Sequence, residues 1–203
     1  ELRRPSPMRT IFSVDNRRNS TLMWIAMFAN VSVAFAVLQW LPTILNRTGF
    51  ALESANALVA LMWASAVPGI VLLLYLTKWF GLQRVLGSVL CIGSLITCGL
   101  GASIVLSGSE AVWLLMIGFG ATIAGAQVGF YSLLASVYPG SSRVTGIGWA
   151  QGVGRLGAII GPSAIGILLS TGTSILTLFF YLAIPVVISA IAVWNVRLPR
   201  LAA

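Results

Sequence analysis

Arg155 is the residue around which a chemical reading of this chain is organised. It is the one ionised side chain that falls in the interior of a long apolar run and not near a run's end. An arginine at the bilayer centre costs about 2.5–3.5 kcal/mol on an insertion scale, so such residues face a bundle interior or a wet cavity. Its guanidinium is a planar fork that grips a carboxylate through two parallel hydrogen bonds. Helical spacing sets Gln151 one turn away and Gly148 two turns away on the same face. In another run Gln127 and Tyr131 are also one turn apart, and Ser32, Ala36, Gln39 and Thr43 form a weaker polar stripe with Asn30 near its end. A fork of donors, amides and a phenol ring suit a small anion with a flat apolar body. The competing reading makes Arg155 a structural charge, held by a helix carbonyl or by a carboxylate on another segment.

The elements that must position these residues are set by composition. The chain has 203 residues, 58% hydrophobic and 8% charged, against about 25% charged in soluble domains. The excess apolar surface has to meet lipid, where helices or closed barrels alone satisfy the backbone. The runs are continuous and do not alternate as barrel strands do. The expected fold is therefore an all-α membrane protein with six transmembrane helices at roughly 21–45, 54–77, 85–106, 111–137, 144–170 and 175–196. Residues 1–20 form a basic segment and 197–203 a short tail. Pro42 is expected to bend or end the first helix, with Trp40 at the interfacial belt. Arg3, Arg4, Arg9, Arg17, Arg18, Lys78, Arg84, Arg143, Arg197 and Arg200 fall on one side of the membrane, while the other side has Arg47 near Glu53 and Glu110. The positive-inside rule then makes both ends cytoplasmic.

Gly148, Gly152, Gly157 and Gly161 in the fifth run form two small-xxx-small pairs and are expected to be helix-packing positions. The third and sixth runs carry no charge in their interiors and are the expected lipid-facing helices.

Several function classes are excluded. The net charge of +8 does not point to nucleic acid, because the basic residues lie between apolar runs. With no His and only two Cys, metal chemistry lacks ligands. Cys91 and Cys98 share a helix face seven residues apart, too far to bridge, and read as small packing residues. Gly152-Val153-Gly154-Arg155-Leu156-Gly157 matches a dinucleotide fingerprint, yet no acidic residue comes after Glu110. The sequons at Asn19 and Asn46 are chance matches. A membrane enzyme would need an acidic pair, a His or a metal cluster in the helices. The reading is thus of a protein that is no enzyme and needs no cofactor or metal.

Three stretches carry a family likeness. Pro7-Met8-Arg9-Thr10-Ile11-Phe12 with Arg17-Arg18 and Thr21-Leu22-Met23-Trp24 is one, and Trp40-Leu41-Pro42-Thr43 is another. The most specific is Tyr138-Pro139 through Arg143, Thr145-Gly146-Ile147-Gly148-Trp149-Ala150 and Gly152-Val153-Gly154-Arg155 to Gly161-Pro162. Together they resemble the C-terminal six-helix half of a major facilitator superfamily transporter, most nearly the aromatic acid:proton symporters of bacteria. The resemblance implies a secondary transporter of the bacterial inner membrane that imports small organic anions, aromatic carboxylates in particular, with protons. It implies a cavity lined mainly by the first and fourth helices, with the second and fifth at its sides, and supports Gln39, Gln127, Tyr131 and Arg155 as substrate-binding residues, to which helical spacing adds Gln151. The chain opens Glu1-Leu2-Arg3-Arg4-Pro5 without a Met, so an N-terminal six-helix half is expected upstream. No Asp or Glu lies inside an apolar run, which puts any proton-carrying carboxylate in that other half. Lys78 stands where superfamily members often carry an acid, a departure that removes a usual gating contact. The alternative is a stand-alone membrane scaffold that binds partner helices through its glycine faces.

Overall fold

The computed structural model describes residues 11–106 and 109–198, with Val14, Asp15 and Ser109 described by backbone alone. Arg3, Arg4, Arg9 and Arg200 lie outside the described residues, as does the start of the Pro7 stretch. Within the described residues the regular elements are helices: α1 (Val14–Arg47), α2 (Leu52–Phe80), α3 (Leu82–Val105), α4 (Glu110–Val137), α5 (Arg143–Ser170) and α6 (Ile175–Trp194). All six are long and apolar enough to cross a membrane. The link between α2 and α3 is the single residue Gly81, whose φ of 81° a side chain would strain. α1 runs on through Pro42 to Arg47, so Pro42 does not end the helix. Leu41, Ile44 and Leu45 are buried there, and packing of this kind lets a membrane helix carry a proline. Trp40 is half-buried and donates from Nε1 to the Pro162 carbonyl of α5 at 2.8 Å, so its indole is held by a neighbouring helix.

The main helix contacts are α1 with α5, α3 with α6, α1 with α6, and α4 with both α2 and α3. Exchanging the first three helices with the last three maps α1–α5 onto α4–α2 and α1–α6 onto α4–α3, and leaves α3–α6 in place. Nested three-plus-three repeats of this kind are a transporter architecture. Close approach at the two equivalent crossings uses glycine in both cases. A Cβ on Gly157 would lie 2.5 Å from the Phe28 carbonyl oxygen and 2.7 Å from Ser32 Oγ, and one on Gly161 would strike the Ser32 backbone. On the other side, Gly69 abuts the Ala121 backbone and Gly120 abuts the backbone of Met62.

The four glycines of α5 expected to pack therefore divide. Gly157 and Gly161 lie in the α1 seam, but a Cβ on Gly148 or Gly152 would meet nothing within 4 Å. The seam is instead continued by Ala150 and Gly154, both buried, while the buried Gly146 packs on the Tyr138 ring. Gly148 and Gly152 are each two residues from that seam, about 200° around the helix, and so point away from it.

Both described ends of the chain meet at one end of the bundle. Asn19 donates from Nδ2 to the Arg197 carbonyl at 2.7 Å, and the Arg197 N–H donates back to Asn19 Oδ1 at 2.9 Å. Gln83 caps the α6 terminus by donating to the carbonyls of Val193, Trp194 and Val196. At the α4–α5 turn the buried Tyr138 hydroxyl donates to Ser20 Oγ at 2.9 Å. Burial pushes that phenol up, and the bond to Ser20 partly opposes the shift.

α4 is not a uniform helix. An α-helical stretch from Ser109 to Phe119 passes into a π turn over Gly120–Ala124, then back to α-helix over Ala126–Val137. The Gly125 N–H donates to the Gly120 carbonyl at 2.9 Å, the five-residue bond of a π turn.

Candidate functional site

With the seam of α5 held on α1, the residues a little further round the helix face open space. Gln151, Gly154 and Arg155 line a cavity of about 160 Å³ there. Its other walls are Met27, Val31, Ala34 and Phe35 of α1, Trp63 of α2, and Ala124, Gln127 and Tyr131 of α4. Four helices contribute to it, and α3 and α6 do not.

The structure thus brings Arg155, Gln151, Gln127 and Tyr131 around one space. Gln39 is exposed and is not part of its wall. From Phe35, the last cavity-lining residue of α1, the rise along the helix carries Gln39 about 6 Å further on. Gly148 and Gly152, outside the seam, lie on the Arg155 side of α5, where they leave the approach open.

Arg155 is exposed and, among the described residues, has no hydrogen-bond or ion-pair partner. It begins about 18 Å from the start of α5, too deep for its head to reach an aqueous face in a core about 30 Å thick without crossing much of it. The acids Asp15, Glu53 and Glu110 each sit in the first turn of a helix, far from it along the chain axis. The cavity has one cation, two amides, a phenol and an indole over an otherwise aliphatic and aromatic floor. That set can hold a carboxylate at the guanidinium and an aromatic ring between Trp63, Phe35 and Tyr131.

Trp63 is the lining residue that spacing arguments miss. It is 46% exposed in the middle of α2, where a tryptophan has no interfacial reason to be, and that position is the available signal. Trp24 and Trp149, which belong to two of the stretches with a family likeness, touch in the fold. Their rings stack with centroids 6.0 Å apart, and Phe12 packs edge-on to both at 5.8 and 6.3 Å. The trio joins α1 to α5 between the cavity and the end of the bundle where the termini meet. The Trp24 indole nitrogen is buried there without a partner.

Comparison with known proteins agrees with this architecture. Over residues 2–162 the chain matches the family model of the Major Facilitator Superfamily. It is 29% identical over 188 residues to a gallate transporter of Pseudomonas putida, covering 93% of this chain and 41% of that protein. It is 27% identical to the benzoate transport protein of Acinetobacter baylyi, covering 95% and 41%. It is 30% identical to the 3-(3-hydroxy-phenyl)propionate transporter of Escherichia coli K12, covering 93% and 46%. The chain thus spans less than half the length of these curated relatives, as one half of the superfamily's fold would. Six membrane-length helices, the three-plus-three packing and a match over most of the chain lead to one conclusion: this chain belongs to the Major Facilitator Superfamily.

Proposed function

We propose that this chain is the C-terminal half of a secondary active transporter that imports aromatic carboxylates with protons across a bacterial inner membrane. The observation that carries the reading is Arg155, a fixed cation without a protein partner among the described residues, in a largely apolar, aromatic-walled cavity. Relatives named for gallate, benzoate and a hydroxyphenylpropionate support the same substrate class. The carboxylate meets the Arg155 fork, the ring lies against Trp63, Phe35 and Tyr131, and Gln127 and Gln151 take ring hydroxyls. The second six-helix half supplies the facing wall. Alternating access then comes from rocking of the two halves about a site near the midplane. Among the described residues no acid lies deeper than the first turn of a helix, so proton coupling falls to the second half.

Residues 1–203 reconstituted alone into vesicles with a proton gradient are expected to show no uptake of labelled benzoate, and co-expression with the second half restores it. Robust uptake by the chain alone would refute the half-transporter reading. Arg155-dependent binding of no aromatic acid, with or without the second half, would favour a scaffold.

The orientation has its own check. Both ends of the chain are cytoplasmic on this reading. A cysteine at position 109 is expected to react with an impermeant thiol reagent added outside, and one at position 82, at the other end of α3, to react only after permeabilisation. The reverse pattern inverts the topology.

A further inference from the structure

We propose that Asn30 is a positioning residue for the cavity: it holds the π turn of α4 that aims Gln127 and Tyr131 at Arg155. Asn30 lies in α1, is 0% exposed, and donates from Nδ2 to the Ile123 carbonyl at 3.2 Å. Ile123 is the fourth residue of the five-residue π turn, Gly120–Ala124. A π turn inserts one residue into the helix and frees a carbonyl from the regular ladder, and a polar side chain from a neighbouring helix is one of the ways a membrane protein re-satisfies it. The other end of the amide, Oδ1, is buried without a partner. One bond, to Ile123, therefore accounts for an asparagine in the packed interior of α1, where an unpaired amide oxygen is otherwise a cost.

The turn sets the rotation of the C-terminal half of α4. Cavity residues Gln127 and Tyr131 come directly after it, and Ala124 is its last residue. The start of the turn is pinned, since Gly120 abuts Met62 and Gly69 of α2 abuts Ala121, and the half of α4 before it is packed through the buried Val112, Met116 and Phe119. If the turn relaxed to an α-helix, every residue beyond it would rotate by about 100° relative to that packed half. Ala126 and Phe130, both now buried at 0%, would take the places of Gln127 and Tyr131. The cavity would lose an amide and a phenol and gain a methyl and a phenyl. Asn30 touches none of the cavity's contents and acts through the backbone of α4.

The proposal rests on reading the cavity as a wet anion site, and its test needs no substrate. Single cysteines at 126, 127, 130, 131 and 151 are placed in the full transporter after Cys91 and Cys98, both free thiols, are changed to serine. Reaction with a small anionic methanethiosulfonate is then measured in membranes. With Asn30 present, 127, 131 and 151 are expected to react, and 126 and 130 to be protected. In Asn30→Ala, reactivity moves from 127 and 131 to 126 and 130, while 151 is unchanged. A purely structural Asn30 would lower the amount of folded protein without moving the pattern, and that result overturns the proposal. Should Asn30→Ala not fold, the scan is extended through 112–137 in the Asn30 protein. Reactive positions before Gly120 and after Gly125 must be out of phase by one residue, and one unbroken 3.6-residue period refutes the inference. Unreactive 127, 131 and 151 in the Asn30 protein would overturn both this role and the anion site, because the turn would have no wet cavity to face. Reactive positions with an unmoved pattern in Asn30→Ala would overturn the positioning role alone.

Discussion

Arg155→Lys is expected to bind aromatic carboxylate at least about tenfold more weakly, a loss of roughly 1.4 kcal/mol, in a transporter that inserts and folds in normal amount. Lysine keeps the positive charge and therefore the long-range attraction. It loses the planar fork, and with it the pair of parallel hydrogen bonds that match a carboxylate's two oxygens. The expectation that folding survives comes from the site: Arg155 is exposed to the cavity and, among the described residues, has no partner to lose. A structural arginine behaves in the opposite way, since its replacement cuts folded yield and leaves the affinity of the surviving protein untouched. Benzoate affinity by equilibrium binding and folded yield by size-exclusion recovery, measured on one purified preparation, separate the two. Unchanged affinity refutes Arg155 as the carboxylate's partner.

The second large effect belongs to the α1–α5 seam. Gly161→Ala should lower the unfolding midpoint sharply, and Gly157→Ala should do the same to a lesser degree. At Gly161 the added methyl meets the Ser32 backbone, which cannot step aside without separating the helices. At Gly157 it meets the Phe28 carbonyl oxygen at 2.5 Å and Ser32 Oγ at 2.7 Å, and the hydroxyl can rotate. Overpacking of this sort typically costs about 1–3 kcal/mol. Gly148→Ala and Gly152→Ala should leave the midpoint of this chain unchanged or raise it, because the new methyl meets nothing within 4 Å and alanine is the better helix former by about 0.5–1 kcal/mol. Thermal unfolding of the four variants in one detergent checks the contrast. A Gly161→Ala protein as stable as the parent, beside a destabilised Gly148→Ala, would mean that α5 packs through its other face.

The glycines also illustrate how far local spacing reaches. Gly148 with Gly152 and Gly157 with Gly161 have the same four-residue separation, and spacing alone cannot rank them. What separates them is which side of α5 meets α1. That depends on Ala150 and Gly154 continuing the seam at three- and four-residue steps. A polar stripe on α1 groups Gln39 with the site. Such a stripe states the direction of a side chain around the helix but not its height relative to a cavity walled by three other helices. Trp63 escapes spacing arguments for the converse reason. It belongs to no polar stripe, and only the packing of α2 on α4 brings its indole beside Gln127 and Tyr131.

What the amino-acid order determined by itself is therefore what one helix decides alone. Six apolar runs of membrane length, the side on which positive charge accumulates, and the isolation of Arg155 are all properties of a segment measured against lipid. Those energies are local, and no partner helix is needed to set them. The tertiary structure decided everything that requires two helices at once: that α1 meets α5 and α4 meets α2, and that Gln127, Tyr131, Gln151 and Arg155 surround one space. It also decided that α4 carries a π turn answered by an asparagine ninety-three positions away along the chain. Gly120-Ala121-Thr122-Ile123-Ala124 reads in sequence as an ordinary apolar turn, since an inserted residue leaves no mark on composition. Across the packed helices Asn30 donates to the Ile123 carbonyl of that turn, a contact that exists only after α1 and α4 have packed.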